Sequence, residues 1–500
     1  MDFPKILWKL KGRIVFLKIK IKMSKKQTKK QSGMDRRQFV KHSSLAAGGF
    51  MIVPRYVLGG KGYTAPSDRL NIAAIGIGGK GDSNIRAAVL WDEKTGETQE
   101  NIVALCDVDA EVGKNSFKRF PKAKQFKDFR VMYEEMMDDI DAVIVSTPDN
   151  THAVAAMPAM KAGKHVYVEK PLTHDVYEAR MLTEAAKKYK VVTQMGNQGS
   201  SGDGIREIME WIDLGIIGKV REVHCWTNRP VWPQGVPKPT GKNKVPKTLD
   251  WDLWLGPAPM QDYQPVFVPF SWRGWWDFGT GALGDMACHI IDPAFKALKL
   301  NYPTAVEAST VVRYPEMWTR MDFPEACPQA SIIHFDFPAR GDMPPVTLHW
   351  YDGGLTPRRP EELKDDEPMG DGGNGVIFVG DDGKIMCDTY ARNPRLLPSE
   401  RMKYFKKPDP ILKRVTVNHQ RNWIEAIKHG TETSSGFEYA GPFTETVLMG
   451  NLALRSLSIQ EDGQYTGKKR LMWDGENMKI TNYEPANQFV KREYRKGWSL

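Results

Sequence analysis

Cysteine is scarce in this chain: there are five in 500 residues, at positions 106, 225, 288, 327 and 387, with no paired spacing. That scatter excludes a disulfide-stapled framework and the short-spaced zinc motifs, and marks most of the thiols as small buried apolar residues. A long apolar run is missing too. The apolar stretch SLAAGGFMIV near the N-terminus is too short to span a bilayer as a helix, so no stable membrane anchor is expected. Basic charge is missing from most of the chain, although the formal total is +10: residues 1–41 hold fourteen Lys or Arg against two Asp, and the remaining 459 carry a net −2. A body without excess positive charge argues against nucleic acid as its partner.

What is present suffices for a large core. A hydrophobic content of 41% over this length implies two or three globular domains. The opening run MDFPKILWKLKGRIVFLKIKIK alternates Lys with Ile, Leu and Phe, as an amphipathic surface segment or an upstream start not normally used would; the second is favoured, with Met23 or Met34 as the working start. From Met34 the chain reads MDRRQFVKHSSLAAGGFMIVPRYVLGG, and Arg36 and Arg37, a Phe two residues on, Lys41 and a short apolar run resemble a twin-arginine export signal. The translocation machinery is then an expected partner and the periplasm the expected location, or the cytoplasm if the signal does not function. No Cys follows the apolar run, so a lipid anchor is not expected, and no clear small-x-small cleavage site is visible. A passenger that folds before export has few disulfides wherever it works.

After the linker YTAPSD, the stretch LNIAAIGIGGKGDSNIRAAVLW predicts a strand, a glycine turn and an amphipathic helix. Gly76, Gly78, Gly79 and Gly81 form the turn. The first makes the tight bend, the second lets backbone approach a pyrophosphate, and the last packs helix on strand, with the helix N-terminus facing the phosphates. A second strand, NIVALCDVDAE, ends in Asp107, whose carboxylate accepts from ribose hydroxyls and repels a 2′-phosphate, so NAD is the expected cofactor rather than NADP. Helix-capping acids at Asp107 and Asp109 are the plain alternative. DAVIVSTPDNTHAVAAMPAMKAG, KHVYVEKPLTHDVYEARMLTEAAKKY and VVTQMGNQG continue the strand and helix alternation. That rhythm predicts a doubly wound parallel sheet, an α/β Rossmann domain over residues 67–198 after an N-terminal extension over 1–66. Ligands of such sheets lie outside the carboxyl ends of the strands. Thr147, Pro148, Asn150, His152, Glu169, Lys170 and Asn197 all fall there.

Beyond Gly199 a helix, DGIREIMEWIDLG, leads into a long Pro-, Gly- and Lys-containing excursion. Seven of the fifteen Trp fall between Trp226 and Trp276. They pack an irregular segment or offer flat faces to the C–H faces of sugar rings. Trp232, Trp272, Trp275 and Trp276 are the candidate substrate contacts, and Trp251 and Trp254 the structural anchors. GALGDMACHIIDPAF then places Asp285 and His289 four apart on one helix face. That spacing fits half a metal site, an acid/base pair or a buried pair. Two ligands from one helix need a third and a fourth, which no HxH, CxxC or second acidic cluster supplies, so no metal is expected. TAVEASTVVRY, QASIIHFDF, PVTLHWYDGG and NGVIFVGDDGKIMCDTY predict a large, mostly antiparallel sheet in an α+β domain over 199–460, with a tail over 461–500 packing on the body. LTPRRPEELKDDEPMGDGGNG reads as an exposed or mobile loop, NHQRNWIEAIKHG as a helix stopped by Gly430, and PFTETVLMGNLALRSLSI as a core helix.

From about residue 70 to about 460, the GxGGxG turn, CDVD, STPDNTH, Glu169-Lys170-Pro171 and GALGDMACHIID together resemble the Gfo/Idh/MocA oxidoreductases, named for glucose–fructose oxidoreductase and inositol dehydrogenase. The resemblance implies a catalytic lysine at Lys170 and an acid/base pair at Asp285 and His289. His289 can accept the hydroxyl proton, Lys170 donates a hydrogen bond to the substrate oxygen or is itself the base if its pKa is depressed, and Asp285 orients the imidazole or binds a neighbouring hydroxyl. It also adds His419 as a substrate-side residue, where the residues alone read a helix start, and implies a dimer or tetramer. The activity implied is NAD-dependent oxidation of a secondary hydroxyl of a sugar or glycoside, at C3 by the glycoside branch, with the cofactor held tightly. A glycosidase of the same fold that oxidises C3 transiently, and a sugar-binding protein without catalysis, are the competing readings.

Overall fold

The computed structural model describes residues 68–500. The amphipathic run, Arg36, Arg37 and the apolar segment after them lie outside the described residues. Six strands, β1 (Asn71–Ile75), β2 (Asn101–Cys106), β3 (Lys124–Phe126), β4 (Ala142–Val145), β5 (His165–Val168) and β6 (Thr193–Met195), form one parallel sheet in the order β3-β2-β1-β4-β5-β6. Helices α1 (Lys80–Val89), α2 (Lys114–Arg119), α3 (Phe129–Met136), α4 (His152–Lys161) and α5 (Val176–Tyr189) alternate with them. Strands covered on both faces must be apolar throughout, and β1 and β4 are: NIAAI and AVIV are almost wholly buried. The strand order reverses between β1 and β4, and there the crevice for a dinucleotide opens.

The second sheet has nine strands. They are β7 (Val220–Trp226), β8 (Ala305–Thr310), β11 (Ser331–Phe337), β12 (Val346–Tyr351), β13 (Gly375–Gly380), β14 (Gly383–Cys387), β15 (Arg395–Leu397), β18 (Leu471–Asp474) and β19 (Lys479–Ile480), in the order β15-β14-β13-β7-β12-β11-β8-β18-β19. Small hairpins β9 (Arg313–Glu316) with β10 (Thr319–Met321), and β16 (Gln460–Glu461) with β17 (Gln464–Tyr465), stand apart from it. Every pairing in the large sheet is antiparallel except β7 with β12. The period-2 pattern is plain in β11, where Ser331, Ile333, Phe335 and Phe337 are buried and the residues between them half-exposed. The buried face packs on helices. The second-domain helices are α6 (Asp203–Asp213), α7 (Trp251–Leu255), α8 (Gly281–Ile290), α9 (Asp292–Ala297), α10 (His419–His429) and α11 (Phe437–Ser456). Helix α11, which starts at Phe437 and carries Pro442 inside it, lies between β8 and β11 on one side and α5 on the other, so it joins the two sheets in one core.

Linear domain boundaries blur at two places. Helix α10 packs Trp423 and Ile424 on Ile72, Ile85 and Tyr167, covering a face of the first sheet. The tail adds β18 and β19 to the second sheet and then returns to the first domain. The charged segment predicted as exposed is better held than its composition suggests: Leu363 is buried against Trp226, Ile377 and Met386, and Lys384 pairs with Glu362 at 2.7 Å. All five cysteines are buried free thiols. Among the described residues no helix is long and apolar enough to cross a membrane.

The returning tail is fastened by one buried cation. Arg492 donates from Nη2 to Glu178 Oε1 at 2.6 Å and to the Asn150 carbonyl at 2.6 Å, while Tyr494 donates its hydroxyl to the same Glu178 oxygen at 2.8 Å. Glu178 also closes the capping box of α5 with Asp175. Removing the cation leaves a buried carboxylate without its charge partner, so Arg492→Ala is expected to lower the unfolding free energy by roughly 3–5 kcal/mol. A urea unfolding midpoint within experimental error of the parent would refute that role.

Candidate active site

The glycine turn is tight enough to exclude side chains. A Cβ on Gly76, at φ +73°, would stand 2.6 Å from the Ser146 carbonyl oxygen, and one on Gly81 would stand 1.9 Å from the carbonyl oxygen of Gly76. Helix α1 is thereby pressed onto the ends of β1 and β4. Gly79, the N-cap of α1, faces open space instead, which leaves the helix N-terminus free to receive a phosphate. At the end of β2 the backbone N–H groups of Ile77 and Asp109 donate to the two oxygens of Asp107, at 2.9 and 3.0 Å. Burial pushes the Asp107 carboxyl up to about 6 against the pull of those donors, so it is a carboxylate at neutral pH. Each oxygen keeps a lone pair for a ribose hydroxyl. Asn197, at the end of β6, is fully buried beside Asp292, and its side-chain oxygen has no hydrogen-bond partner, the kind of orphan a bound ligand satisfies. The site therefore fits a dinucleotide.

Other strand-end residues also hold the crevice together. The His152 ring lies between the Thr147 and Pro171 carbonyls, Nε2 2.9 Å from one and Nδ1 2.8 Å from the other, and so ties the ends of β4 and β5. The Thr147 hydroxyl donates to the Pro148 carbonyl at 3.2 Å. Asn150 donates its side-chain amide to the Leu255 carbonyl at 3.0 Å and its backbone N–H to Phe278, which ties it to the aromatic segment, while its side-chain oxygen is buried without a partner and remains open to a ligand. Glu169 accepts from Asn84 at 2.8 Å and lies 3.7 Å from Lys80, joining α1 to the end of β5.

The chemistry gathers where β5 meets α8. Lys170 Nζ donates to Asp285 Oδ1 at 2.7 Å and to the Asp285 carbonyl at 2.6 Å, and Arg273 Nε donates to the same carboxylate oxygen at 3.0 Å. Burial alone would raise the Asp285 carboxyl, but Lys170 and Arg273 outweigh it and hold it well below the carboxylate range. Burial works against the Lys170 ammonium as well, yet Asp285 prevails and the lysine titrates above its ordinary value. Of the two roles open to it, hydrogen-bond donor or pKa-depressed base, these contacts favour the donor. Asp285 is occupied by two cations, which corrects its reading as the group that orients the imidazole. His289 is neutral: burial first, and Lys170 next, drive its pKa well below the usual imidazole value. Its Nδ1 is buried without a partner, and the ring meets Tyr390 edge-on at 4.8 Å between centroids.

Two residues of this site were absent from the sequence reading. Arg273 sits between the rings of Phe270 and Trp272, 4.2 Å from each, in SWRGWW. Its only signal was a lone cation among aromatics. Tyr390 carries φ +64° and is followed by Ala391 at +57°, a left-handed turn that bulky side chains rarely adopt and that no motif announces.

The proposed aromatic platform is a core. Trp272 and Trp275 are buried with Trp254, Phe267 and Phe278, and Trp275 packs edge-on to Phe267 at 5.3 Å. Trp232 is buried, donates from Nε1 to Gln234 at 3.0 Å and meets Phe270. Trp276 is buried beside Arg455. These four indoles pack the excursion and are not exposed faces for sugar. His419 is likewise engaged: Nδ1 lies 2.6 Å from the Ser201 hydroxyl and Nε2 2.8 Å from the Met195 carbonyl, leaving no ring nitrogen for substrate.

Known proteins place this geometry in a family. The profile described as "Oxidoreductase family, NAD-binding Rossmann fold" matches residues 70–197, and "Oxidoreductase family, C-terminal alpha/beta domain" matches residues 214–319. The chain belongs to the Gfo/Idh/MocA oxidoreductase family. Relatives include a glycosyl hydrolase family 109 protein of Shewanella pealeana, 27% identical over 208 residues, covering 37% of this chain and 44% of that protein. Levoglucosan dehydrogenase of Pseudarthrobacter phenanthrenivorans is 26% identical over 232 residues, 45% of this chain and 50% of the relative. The chain thus spans half or less of the length of these two curated relatives. Among solved structures, levoglucosan dehydrogenase in complex with NADH and levoglucosan superposes with a TM-score of 0.50 at 19% identity, over 77% of this chain and 97% of that one. Aldose-aldose oxidoreductase from Caulobacter crescentus gives 0.50 at 17%, over 77% and 98%. At these identities the structures establish the shared fold, a Gfo/Idh/MocA Rossmann domain with its α/β partner.

Removing the Asp107 carboxylate removes charged acceptors from the ribose. Asp107→Ser is expected to weaken NAD binding by about 10- to 100-fold, from roughly 1.5–3 kcal/mol for a hydrogen bond to a charged group. Titration of intrinsic tryptophan fluorescence with NAD measures it, and unchanged affinity would remove Asp107 from the site.

Proposed function

We propose that this chain is an NAD-dependent oxidoreductase that oxidises a secondary hydroxyl of a sugar or glycoside, at C3. The observation that carries the reading is a protonated lysine and a neutral imidazole at one mouth of an NAD-binding sheet. A bound nicotinamide supplies hydride acceptance. The chain supplies the rest. Lys170, pinned by Asp285, donates a hydrogen bond to the reacting oxygen. His289 takes the hydroxyl proton, which a neutral imidazole does without first losing one of its own. Arg273 and Asp285 keep the lysine charged and in place, and Tyr390 closes the far side of the imidazole. Levoglucosan dehydrogenase, a relative named for sugar oxidation, supports oxidation of a sugar hydroxyl.

A second reading has its own support, because another relative is a family 109 glycosyl hydrolase. In that reading the same lysine and histidine serve a transient oxidation, followed by elimination of the aglycone, hydration and return of the hydride to the sugar, with no net change in the cofactor. Further parts of the proposal concern the whole protein. The paired arginines direct export of the folded, cofactor-loaded chain to the periplasm, where free NAD is scarce; a tightly held cofactor is then recycled by a second sugar, and the working form is a dimer or tetramer.

Mixing purified protein with a panel of glycosides while following reduced nicotinamide absorbance, ketosugar and free aglycone separates the two chemistries. Accumulating ketosugar with reduced cofactor is expected; aglycone release without net reduction would overturn the dehydrogenase in favour of the hydrolase. Lys170→Met and His289→Ala are each expected to lower kcat by about 100-fold or more with NAD still bound. Near-parent turnover in either would remove that residue from the mechanism. Because the His289 pKa is lowered, its basic form persists as pH falls, so the acid limb of kcat should lie below the ordinary imidazole value of about 6.5. A limb at or above that value would identify another base.

A further inference from the structure

The outer face of the nine-stranded sheet carries a second cluster of chemistry far from strand-end logic. Residues 222 and 224 of β7 share one face because side chains alternate along a strand. Strand register then lines up His224 with His349 on β12, His349 with His334 on β11, and His334 with Glu307 on β8. Their neighbours Val223, Cys225, Phe335, Leu348 and Trp350 point the other way, into the core. Three imidazoles in a row on adjacent strands are an odd choice for a plain sheet surface, since protonating any two sets like charges side by side.

Their hydrogen bonds give the row a direction. His224 Nε2 lies 3.3 Å from Glu222 Oε1, and His349 Nε2 lies 2.8 Å from the same oxygen. The opposite ring nitrogens are engaged elsewhere: His224 Nδ1 is 3.2 Å from the Tyr351 hydroxyl, and His349 Nδ1 is 2.6 Å from His334 Nδ1. The two rings stack at 4.9 Å with 19° between their planes, so both Nε2 atoms aim at one carboxylate. One ligand atom from each of Glu222, His224 and His349 lies within 4.8 Å of the other two. A tetrahedral ion with bonds of about 2.1 Å needs its ligand atoms about 3.4 Å apart, which small side-chain rotations reach from here. Imidazoles oriented through the nitrogen that does not bind are the usual support of a metal ligand.

We propose that Glu222, His224 and His349 bind a divalent transition-metal ion of the zinc class, with water in the fourth position, on the sheet face turned away from α8 and α11. The ligand types suit it: two imidazoles and one carboxylate are a common donor set for such an ion, and Glu222, 44% exposed, leaves a way in from solvent. On binding, the ring protons only change places. His349 moves its N–H from Nε2 to Nδ1 and donates to His334 Nδ1, His334 carries its own proton on Nε2, and His224 donates from Nδ1 to the Tyr351 oxygen. The ion then clamps β7 to β12, the one parallel pair of the sheet. The site is separate from the NAD crevice and does not depend on which sugar chemistry occurs there.

Cobalt(II) is the probe, because four-coordinate cobalt with imidazole ligands absorbs visibly and competes with zinc. The full chain, without a polyhistidine tag, is stripped with chelator, titrated with cobalt(II) and then with zinc(II), and its thermal unfolding followed with and without each ion. One saturable equivalent per chain with intense visible bands, displaced by zinc and raising the unfolding temperature, is expected. His224→Ala and His349→Ala should each abolish the bands, and Tyr351→Phe should keep them with affinity lowered about 10- to 100-fold. Glu222→Gln, a half-exposed and nearly isosteric change, covers the case in which a histidine variant fails to fold, and it too should lose tight binding. Absence of saturable cobalt binding by the parent chain, or binding that survives in Glu222→Gln and in a folded histidine variant, overturns the site.

Discussion

The contact between Lys170 Nζ and Asp285 is the constraint on which the active site depends. It crosses from the end of a Rossmann strand to a helix of the second domain, and each side chain is only 13% exposed. Two charges taken out of water cost several kcal/mol each, which their mutual attraction offsets only with good geometry and further partners. Here the partners exist. The lysine also reaches the Asp285 carbonyl, and Arg273 approaches the same carboxylate, itself sheltered between two aromatic rings. The pair thus positions α8 against β5 to within a hydrogen bond, and everything mounted on α8, His289 first, inherits that position.

The same charges decide protonation. Two cations face one carboxylate, so the cluster retains positive charge beside His289. Together with burial this keeps the imidazole neutral, while the carboxylate keeps the lysine charged. An Asp and a His four apart on a helix invite the idea of a dyad. The structure divides the labour differently: the carboxylate serves the lysine, and the imidazole stands by itself against Tyr390.

Much of this was legible in the chain. Strands β1, β2, β4 and β5 announce themselves as apolar runs packed in the sheet, whereas β3, the exposed edge strand KQF, carries no such signal, and the glycines of the turn are needed where α1 meets the carbonyls of Gly76 and Ser146. Lys170, Asp285 and His289 were singled out because a strand end or a helical spacing placed them and a family resemblance suggested their roles. What escaped notice lacks local signal. Arg273 matters only because its loop folds over α8, and Tyr390 only because it and Ala391 turn left-handed at a point far along the chain from His289. The tryptophans misled for a related reason. Composition records how many aromatics a segment holds but not which way they face, and a long segment with little helix or strand needs them inside, where Trp254, Trp272 and Trp275 stand. Helix α10 likewise reads as part of the second domain, yet its apolar face matches the first sheet, and His419 is engaged in joining the two.

The arrangement also bears on why one fold can host both oxidation and oxidation-coupled bond cleavage. Hydride and proton leave the same carbon–oxygen unit in either case, so both need the donor lysine and the neutral imidazole, and neither can be distinguished by them. Cleavage asks in addition for a group that removes a proton from the next carbon and for room for the departing aglycone. Those requirements fall on what surrounds the Lys170 cluster and not on the cluster itself. The strained turn that brings Tyr390 to His289, and the aromatic segment that carries Arg273, are the two elements that border it from outside the Rossmann domain. Both are loops over a rigid base, the part of a fold where chemistry can change while the charge pair beneath stays as it is.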